Sequence, residues 1–284
     1  MTIRFDSAAR RVQRPQPGAL DLFRLLQYTL LHHFVRVSMR RNIQPISFLL
    51  ALLLSALPLV LEPSLSFAGQ IKAMSPAPQP ETWWTERHKR TVARIRQGHI
   101  DLLFIGDSIT QGWEEDGRPV WNAFYQHRHA ANLGYNSDQT DNVLWRLQHG
   151  ELDGITPKLA VVMIGTNNAT RREDPPEETA AGIHAILTTL RTRLPETKIL
   201  LLAVFPRGLS ADDPLRRVNN AVNERLPAFA DQRQVFFLNL NERFLDDNGR
   251  LPEEMMPDAL HPSERGYRVW AEGMEDTIRK LLGE

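Results

Sequence analysis

LLFIGDSITQGW, residues 102–113, carries four apolar residues into Gly106-Asp107-Ser108 and then into a helix-compatible run. A short apolar run with no polar alternation is the pattern of a strand buried on both faces. The polar triplet then falls just past the strand's carboxyl end, where open parallel sheets bind their ligands. Ser108 is therefore either a nucleophile presented by a strand or a residue in a turn.

The pattern of this stretch repeats. Apolar runs at 102–105, 131–133, 159–164, 199–205 and 235–238 read as strands. Helical spacing fills 120–126, 141–148, 177–194 and 215–230, and a last helix is expected from Ser263 to Leu282, with Pro262 in its first turn. Strand–helix alternation implies a parallel sheet in a three-layer α/β/α sandwich. The residues after the successive strands are then the ones to inspect. They read Gly106-Asp107-Ser108, Gly134-Tyr135-Asn136-Ser137-Asp138, Gly165-Thr166-Asn167-Asn168, Pro206-Arg207-Gly208 and, closing a longer loop, Asp258-Ala259-Leu260-His261-Pro262.

Each piece alone is an ordinary turn or cap, but together they supply one chemistry. A serine hydroxyl needs a base to take its proton, and histidine serves near neutral pH. The base needs an acceptor that fixes its tautomer, and Asp258 lies three residues before His261. Donors for an oxyanion are available from the N–H of Ser108, a backbone N–H in 134–137 and the Asn167 side chain. The nucleophile elbow G-x-S-x-G is excluded, because Thr110 stands where its second glycine belongs.

The blocks GDSITQG, NLGYNSDQT, GTNN and DALHPS resemble, in order, the four blocks of the GDSL or SGNH hydrolase superfamily. Within it, residues 132–168 and the FPRG…DPLR segment are most similar to the catalytic subunits of brain-type platelet-activating-factor acetylhydrolase. The resemblance implies a flavodoxin-like five-stranded sandwich and a serine esterase that needs no metal or other cofactor. It assigns Ser108 as nucleophile, His261 as base, Asp258 as its partner, and Ser108, Ser137 and Asn167 to the oxyanion hole, with Asp107 and Gly134 in support. Aligned without gaps, the family's oxyanion glycine falls on Ser137. Serine keeps the N–H but adds a Cβ, which costs about 1–2 kcal/mol if φ is positive there. The amide is expected to remain a donor, with Asp138 starting the next helix and Gly134 serving as a turn glycine. The similar subunits dimerise, which leaves a homodimer open.

Lys plus Arg and Asp plus Glu each number 34, so no overall field favours nucleic acid. Residues 1–68 hold eight arginines and three acids, which leaves 26 basic and 31 acidic residues after them. There is no cysteine, which excludes disulfides and thiolate chemistry. Residues 46–61 are uncharged, follow Arg40-Arg41 and precede Ser66-Phe67-Ala68, as in the apolar and cleavage regions of an export signal. A signal of ordinary length would begin at Met39, making 1–45 an extension or a mis-assigned start; an uncleaved membrane anchor is the alternative. Residues 69–80 read as a Pro-rich linker, and 81–284 as the catalytic domain.

The sequence thus predicts an exported esterase for small acyl groups, acetyl above all, on a carbohydrate, lipid or other small-molecule ester. Transfer of the acyl group to a carbohydrate, or a non-catalytic binding module on the same fold, are the rival readings. His127-Arg128-His129 is expected to be a solvated helix end, Trp83-Trp84 and Trp113 packing residues, and 171–174 an exposed mixed-charge loop. Arg207 is expected either to line the cleft or to pair structurally.

Overall fold

The structure is a computed structural model that describes residues 71–284; the expected export segment at 46–68 and the extension before it lie outside the described residues. The elements run α1 (Thr82–Arg96), β1 (Leu102–Gly106), α2 (Ser108–Gln111), α3 (Arg118–Phe124), β2 (Ala130–Gly134), α4 (Thr140–Gln148) and β3 (Leu159–Met163). They continue α5 (Thr166–Arg171), α6 (Pro176–Arg193), β4 (Lys198–Leu202), α7 (Pro214–Asn223), β5 (Val235–Leu238) and α8 (Glu264–Leu282).

All four strand pairings are parallel, and the sheet order is β2-β1-β3-β4-β5. The apolar runs are continuous because each strand feeds two cores. Leu103 and Ile105 of β1 pack with Val143, Ile183, Ile186 and Val222, from the helices that follow β2, β3 and β4. Leu102 and Phe104 turn the other way, onto Val120 of α3 and Trp270, Met274 and Ile278 of α8. Full burial of side chains this size contributes ~1.5–3 kcal/mol each. The chain leaves β1 toward β2 on one side and returns across it to β3 on the other, so the crevice between β1 and β3 is the switch point of the sheet.

Three expectations are corrected. β4 ends at Leu202, although Ala203, Val204 and Phe205 remain buried. Past the sheet the Val204 N–H donates to Asn223 Oδ1 (2.7 Å), and its carbonyl accepts from Asn223 and Asn241, so side-chain amides replace the strand ladder. The helix expected over 215–230 stops at Asn223 and gives way to a single 3-10 turn, Leu226–Phe229, where Pro227 has no N–H to continue it. Pro262 lies outside α8, just before the cap Ser263, whose hydroxyl accepts from the Gly266 N–H at 3.2 Å.

Residues 71–80 form a docked strap. Ala73 is fully buried, and its carbonyl accepts from the Thr140 hydroxyl at 2.8 Å. The Ala77 carbonyl accepts from Asn142, and the Gln79 amide donates to Asp138 Oδ1 at 2.7 Å. Prolines in this stretch stiffen a segment that is already hydrogen-bonded to the α4 end of the domain, so ordered packing begins ahead of Glu81.

Candidate active site

β1 ends at Gly106, which pairs with Gly134 of β2 on one side and Met163 of β3 on the other. The loops that follow these three strands are therefore neighbours. Asp107 caps α2, its Oδ1 accepting the Ile109 N–H at 3.0 Å, so Ser108 is the first helical residue. First-turn N–H groups have no intrahelical acceptor, which leaves the Ser108 N–H available.

From the far end of the chain, the loop before α8 brings its groups to the same place. Ser108 Oγ lies 2.9 Å from His261 Nε2, and His261 Nδ1 lies 2.6 Å from Asp258 Oδ2. The second Asp258 oxygen accepts the N–H groups of Leu260 (3.0 Å) and His261 (2.7 Å), so one carboxylate shapes the turn and orients the ring. Ala259 takes φ 57° to permit this, and its carbonyl accepts the Gly208 N–H at 2.8 Å, which fastens the loop to the segment that follows β4. Burial opposes the Asp258 charge, but the His261 ring and the two N–H groups outweigh it and hold the carboxyl below its usual range.

The oxyanion candidates divide. Gly134 is spent elsewhere: its N–H donates to Asn132 Oδ1 (2.8 Å), and its carbonyl accepts from Arg87 (2.8 Å). A Cβ there would sit 2.2 Å from the Gln111 nitrogen, so glycine is needed for close approach of β2 to α2. Ser137 takes φ 64°, and no hydrogen bond among the described residues uses its N–H. Asn167, nearly buried, gives one amide hydrogen to the Asp138 carbonyl at 3.1 Å and keeps the second. The Asn136 N–H donates to Gln111 Oε1 at 2.8 Å, so the loops after β1, β2 and β3 are joined.

Asp138 does not start a helix. It is wholly buried, accepting from Gln79, Trp84 and Arg146, while α4 starts two residues later with Gln139 as its cap. The expected exposed loop at 171–174 is also ordered. Arg172 bridges Asp141 and the buried Asp174, and Arg171 donates to the Ser137 hydroxyl at 2.5 Å. Arg207 pairs structurally, giving hydrogen bonds to the hydroxyls of Thr166 (3.0 Å) and Thr170 (2.5 Å) around α5, the helix that carries Asn167. Trp84 and Trp113 are buried, whereas Trp83 is exposed. Arg128 is buried in ion pairs with Glu275 and Glu284, so it is no solvated helix end.

A cleft of about 320 Å³ opens beside Ser108 and His261, with Gln111, Glu115, Asp116 and Asn136 in its walls. Gln111 and Asn136 lie within the first two sequence blocks without having been given a role there, whereas Glu115 and Asp116 belong to no block and have no characteristic spacing.

Ser108, His261 and Asp258 thus meet in one hydrogen-bonded chain beyond the strand ends of a flavodoxin-like sheet. The pattern of the GDSL-like Lipase/Acylhydrolase family matches residues 104–269, and the chain belongs to that family and is a carboxylic ester hydrolase. It is 36% identical over 210 residues to platelet-activating factor acetylhydrolase IB subunit alpha2 of Rattus norvegicus, covering 72% of this chain and 88% of that one. A putative platelet activating factor structure from Streptococcus pneumonia superposes with a TM-score of 0.57 at 23% identity, over 69% of this chain and 94% of that one. Axe2, an acetylxylan esterase from Geobacillus stearothermophilus, superposes with a TM-score of 0.51 at 20% identity, over 66% and 95%. These structures share the fold.

Proposed function

We propose that the protein hydrolyses esters of short acyl groups, acetyl above all, through an acyl-enzyme on Ser108. The hydrogen-bonded chain Ser108–His261–Asp258 carries this reading. His261 Nε2 takes the hydroxyl proton as Ser108 Oγ attacks the ester carbonyl, and Asp258 stabilises the imidazolium. The oxyanion falls to the N–H groups of Ser108 and Ser137 and the spare Asn167 hydrogen. His261 then returns its proton to the departing alcohol, and water, deprotonated by the same ring, frees the acid. The polar and acidic cleft walls favour a short acyl chain, since each further methylene set against them forgoes ~0.8 kcal/mol of burial. The names of the acetylhydrolase and acetylxylan esterase relatives support an acetyl ester and leave its alcohol open between lipid and carbohydrate. Export through residues 46–68 is part of the proposal, and a mature chain beginning at Gly69 in N-terminal sequencing would establish it.

The test is hydrolysis of p-nitrophenyl esters of rising chain length beside a Ser108→Ala variant. The acetate is expected to be cleaved fastest, with rates falling along the series and at least ~10³-fold loss in the variant. Undiminished turnover in the variant would remove Ser108 from the mechanism. Transfer of the acetyl group to an added sugar in preference to water would make the protein an acyltransferase.

A further inference from the structure

A second and larger cavity, about 510 Å³, lies across the 112–118 turn from the catalytic cleft. Gly112, Glu115 and Asp116 of that turn face the cleft, whereas Trp113, Glu114 and Arg118 face the groove. Arg87, Arg90 and Arg94 stand three and four residues apart on α1 and form one wall together. With Arg118 they put four guanidinium groups around the groove, against the single carboxylate of Glu114. Acids outnumber bases after residue 68, 31 to 26, so this is a local concentration opposed to the domain's average.

The arginines are held but not spent. Arg87 pairs with Glu114 at 2.7 Å and binds the Gly134 carbonyl, Arg94 donates to the Gly98 carbonyl, and Arg118 to the Glu114 carbonyl. Each guanidinium has five N–H groups, so Arg94 and Arg118 keep most of theirs. Arg90 makes no ion pair among the described residues. The floor is the outer edge of β2, which pairs with β1 alone. Tyr135 donates to the Gly106 carbonyl on the β1 side, so by alternation Ala130 and Asn132 turn their backbone groups outward into the groove. Trp121, half-buried, is fixed by an edge contact with Phe104 at 5.1 Å, and the exposed Asn122 amide stands beside it.

Guanidinium forks match carboxylates, an indole face packs on the apolar face of a pyranose ring, and amide and strand-edge groups bind hydroxyls. We propose that the groove is a subsite for the carboxylated sugar residues of an acidic glycan whose ester group lies at Ser108. The proposal rests on the esterase reading and names the substrate class for it. The excess of acid elsewhere on the domain disfavours a long nucleic acid, which would meet repulsion beyond the groove. An acidic peptide such as polyglutamate would supply carboxylates but no ring for Trp121.

The test is calorimetric binding of de-esterified oligogalacturonate to the full chain, beside neutral xylo-oligosaccharide, polyglutamate and an Arg90→Gln/Arg118→Gln variant. Both arginines reach solvent, so the variant is expected to fold, and its unchanged circular dichroism checks this. Oligogalacturonate is expected to bind, more weakly as salt rises, and roughly tenfold or more weakly in the variant, the loss that one or two charge-assisted hydrogen bonds produce. The neutral oligomer is expected not to compete. Failure of oligogalacturonate to bind, equal binding by the variant, or equal binding of polyglutamate or the neutral oligomer would overturn the subsite. p-Nitrophenyl acetate hydrolysis by the unaltered protein, measured separately, decides the esterase reading without reference to the groove.

Discussion

Ser137 carries a Cβ at φ 64°, where glycine is the unstrained residue. Its hydroxyl donates to Asn136 Oδ1 at 3.1 Å and accepts from Arg171 at 2.5 Å. Those two bonds supply what a glycine would not need: a hold on a strained loop whose N–H stands free. Ser137→Gly is expected to relax about 1–2 kcal/mol of strain, partly offset by ~0.5–1 kcal/mol of backbone entropy. Arg171→Ala is expected to lower kcat several-fold with KM unchanged, and to have no effect in the Ser137→Gly background. Equal losses in both backgrounds of this double-mutant cycle would show that Arg171 acts independently of Ser137. Asp107 gives a pH signature. Burial pushes its carboxyl up to about 7, against the Ile109 N–H and the His261 charge, which favour ionisation. The neighbouring Asp138 adds to the rise. An acid whose folded-state pKa exceeds its unfolded value holds an extra proton when folded. Its contribution therefore falls as pH rises from about 4 to about 7, by up to ~4 kcal/mol. Urea unfolding of the wild type and Asp107→Asn across that range should show the variant losing less stability as pH rises. Parallel profiles would place the Asp107 pKa near its ordinary value.

α4 shows what the sequence reveals of an element and what it hides. Its apolar spacing is legible, and the helix falls within one residue of the expected 141–148. Nothing in that spacing marks Arg146, on the same helix, as buried, since charged residues are exposed in most proteins. In the structure its side chain has no exposure. It pairs with Asp138 at 2.7 Å and with Glu151, donates to the Leu133 carbonyl at 3.1 Å, and lies 3.8 Å over the Tyr135 ring. Its partners come from the loop after β2 and the segment after α4, and the strap and α1 join through Gln79 and Trp84 on Asp138. No periodicity encodes such a network, since its members share neither spacing nor face. It ties α1, β2 and α4 behind the loop that carries Ser137, so Asp138 is fixed one residue after it. Arg146→Met leaves two buried carboxylates facing each other without their cation and is expected to cost about 3–5 kcal/mol. Arg146→Lys is expected to recover little, because one ammonium cannot reproduce the fork between two acids and a carbonyl. Denaturant midpoints at unchanged slope measure both; losses under ~1 kcal/mol would show the network to be dispensable.

At the scale of the molecule, the layers were legible because burial on both faces writes itself as unbroken apolar runs. The residues proposed for catalysis could be picked out because they lie in the segments that follow β1, β2 and β3 or, for Asp258 and His261, in the loop before α8. The cleft walls, the Arg171 contact and the arginine groove were not, since they arise where separate elements meet. The two-sided strands also predict how the domain unfolds. Leu103 and Ile105 support one core, Leu102 and Phe104 the other, so neither helical layer can be lost while the sheet stays buried. Ile186→Ala on α6 and Met274→Ala on α8 each empty a fully buried site on opposite faces. Each is expected to cost about 2–5 kcal/mol through lost burial and the cavity left behind. Because the sheet separates them, the double variant should lose their sum to within about 0.5 kcal/mol, in one transition. Tryptophan fluorescence and circular dichroism followed together in denaturant would test this. Trp113 and Trp270 report on the α8 face and Trp84 on the far side, so coincident curves mean a single cooperative unit. If Met274→Ala separated the fluorescence transition from the loss of helix, the layers would be unfolding independently, and the sheet would not be the element that couples them.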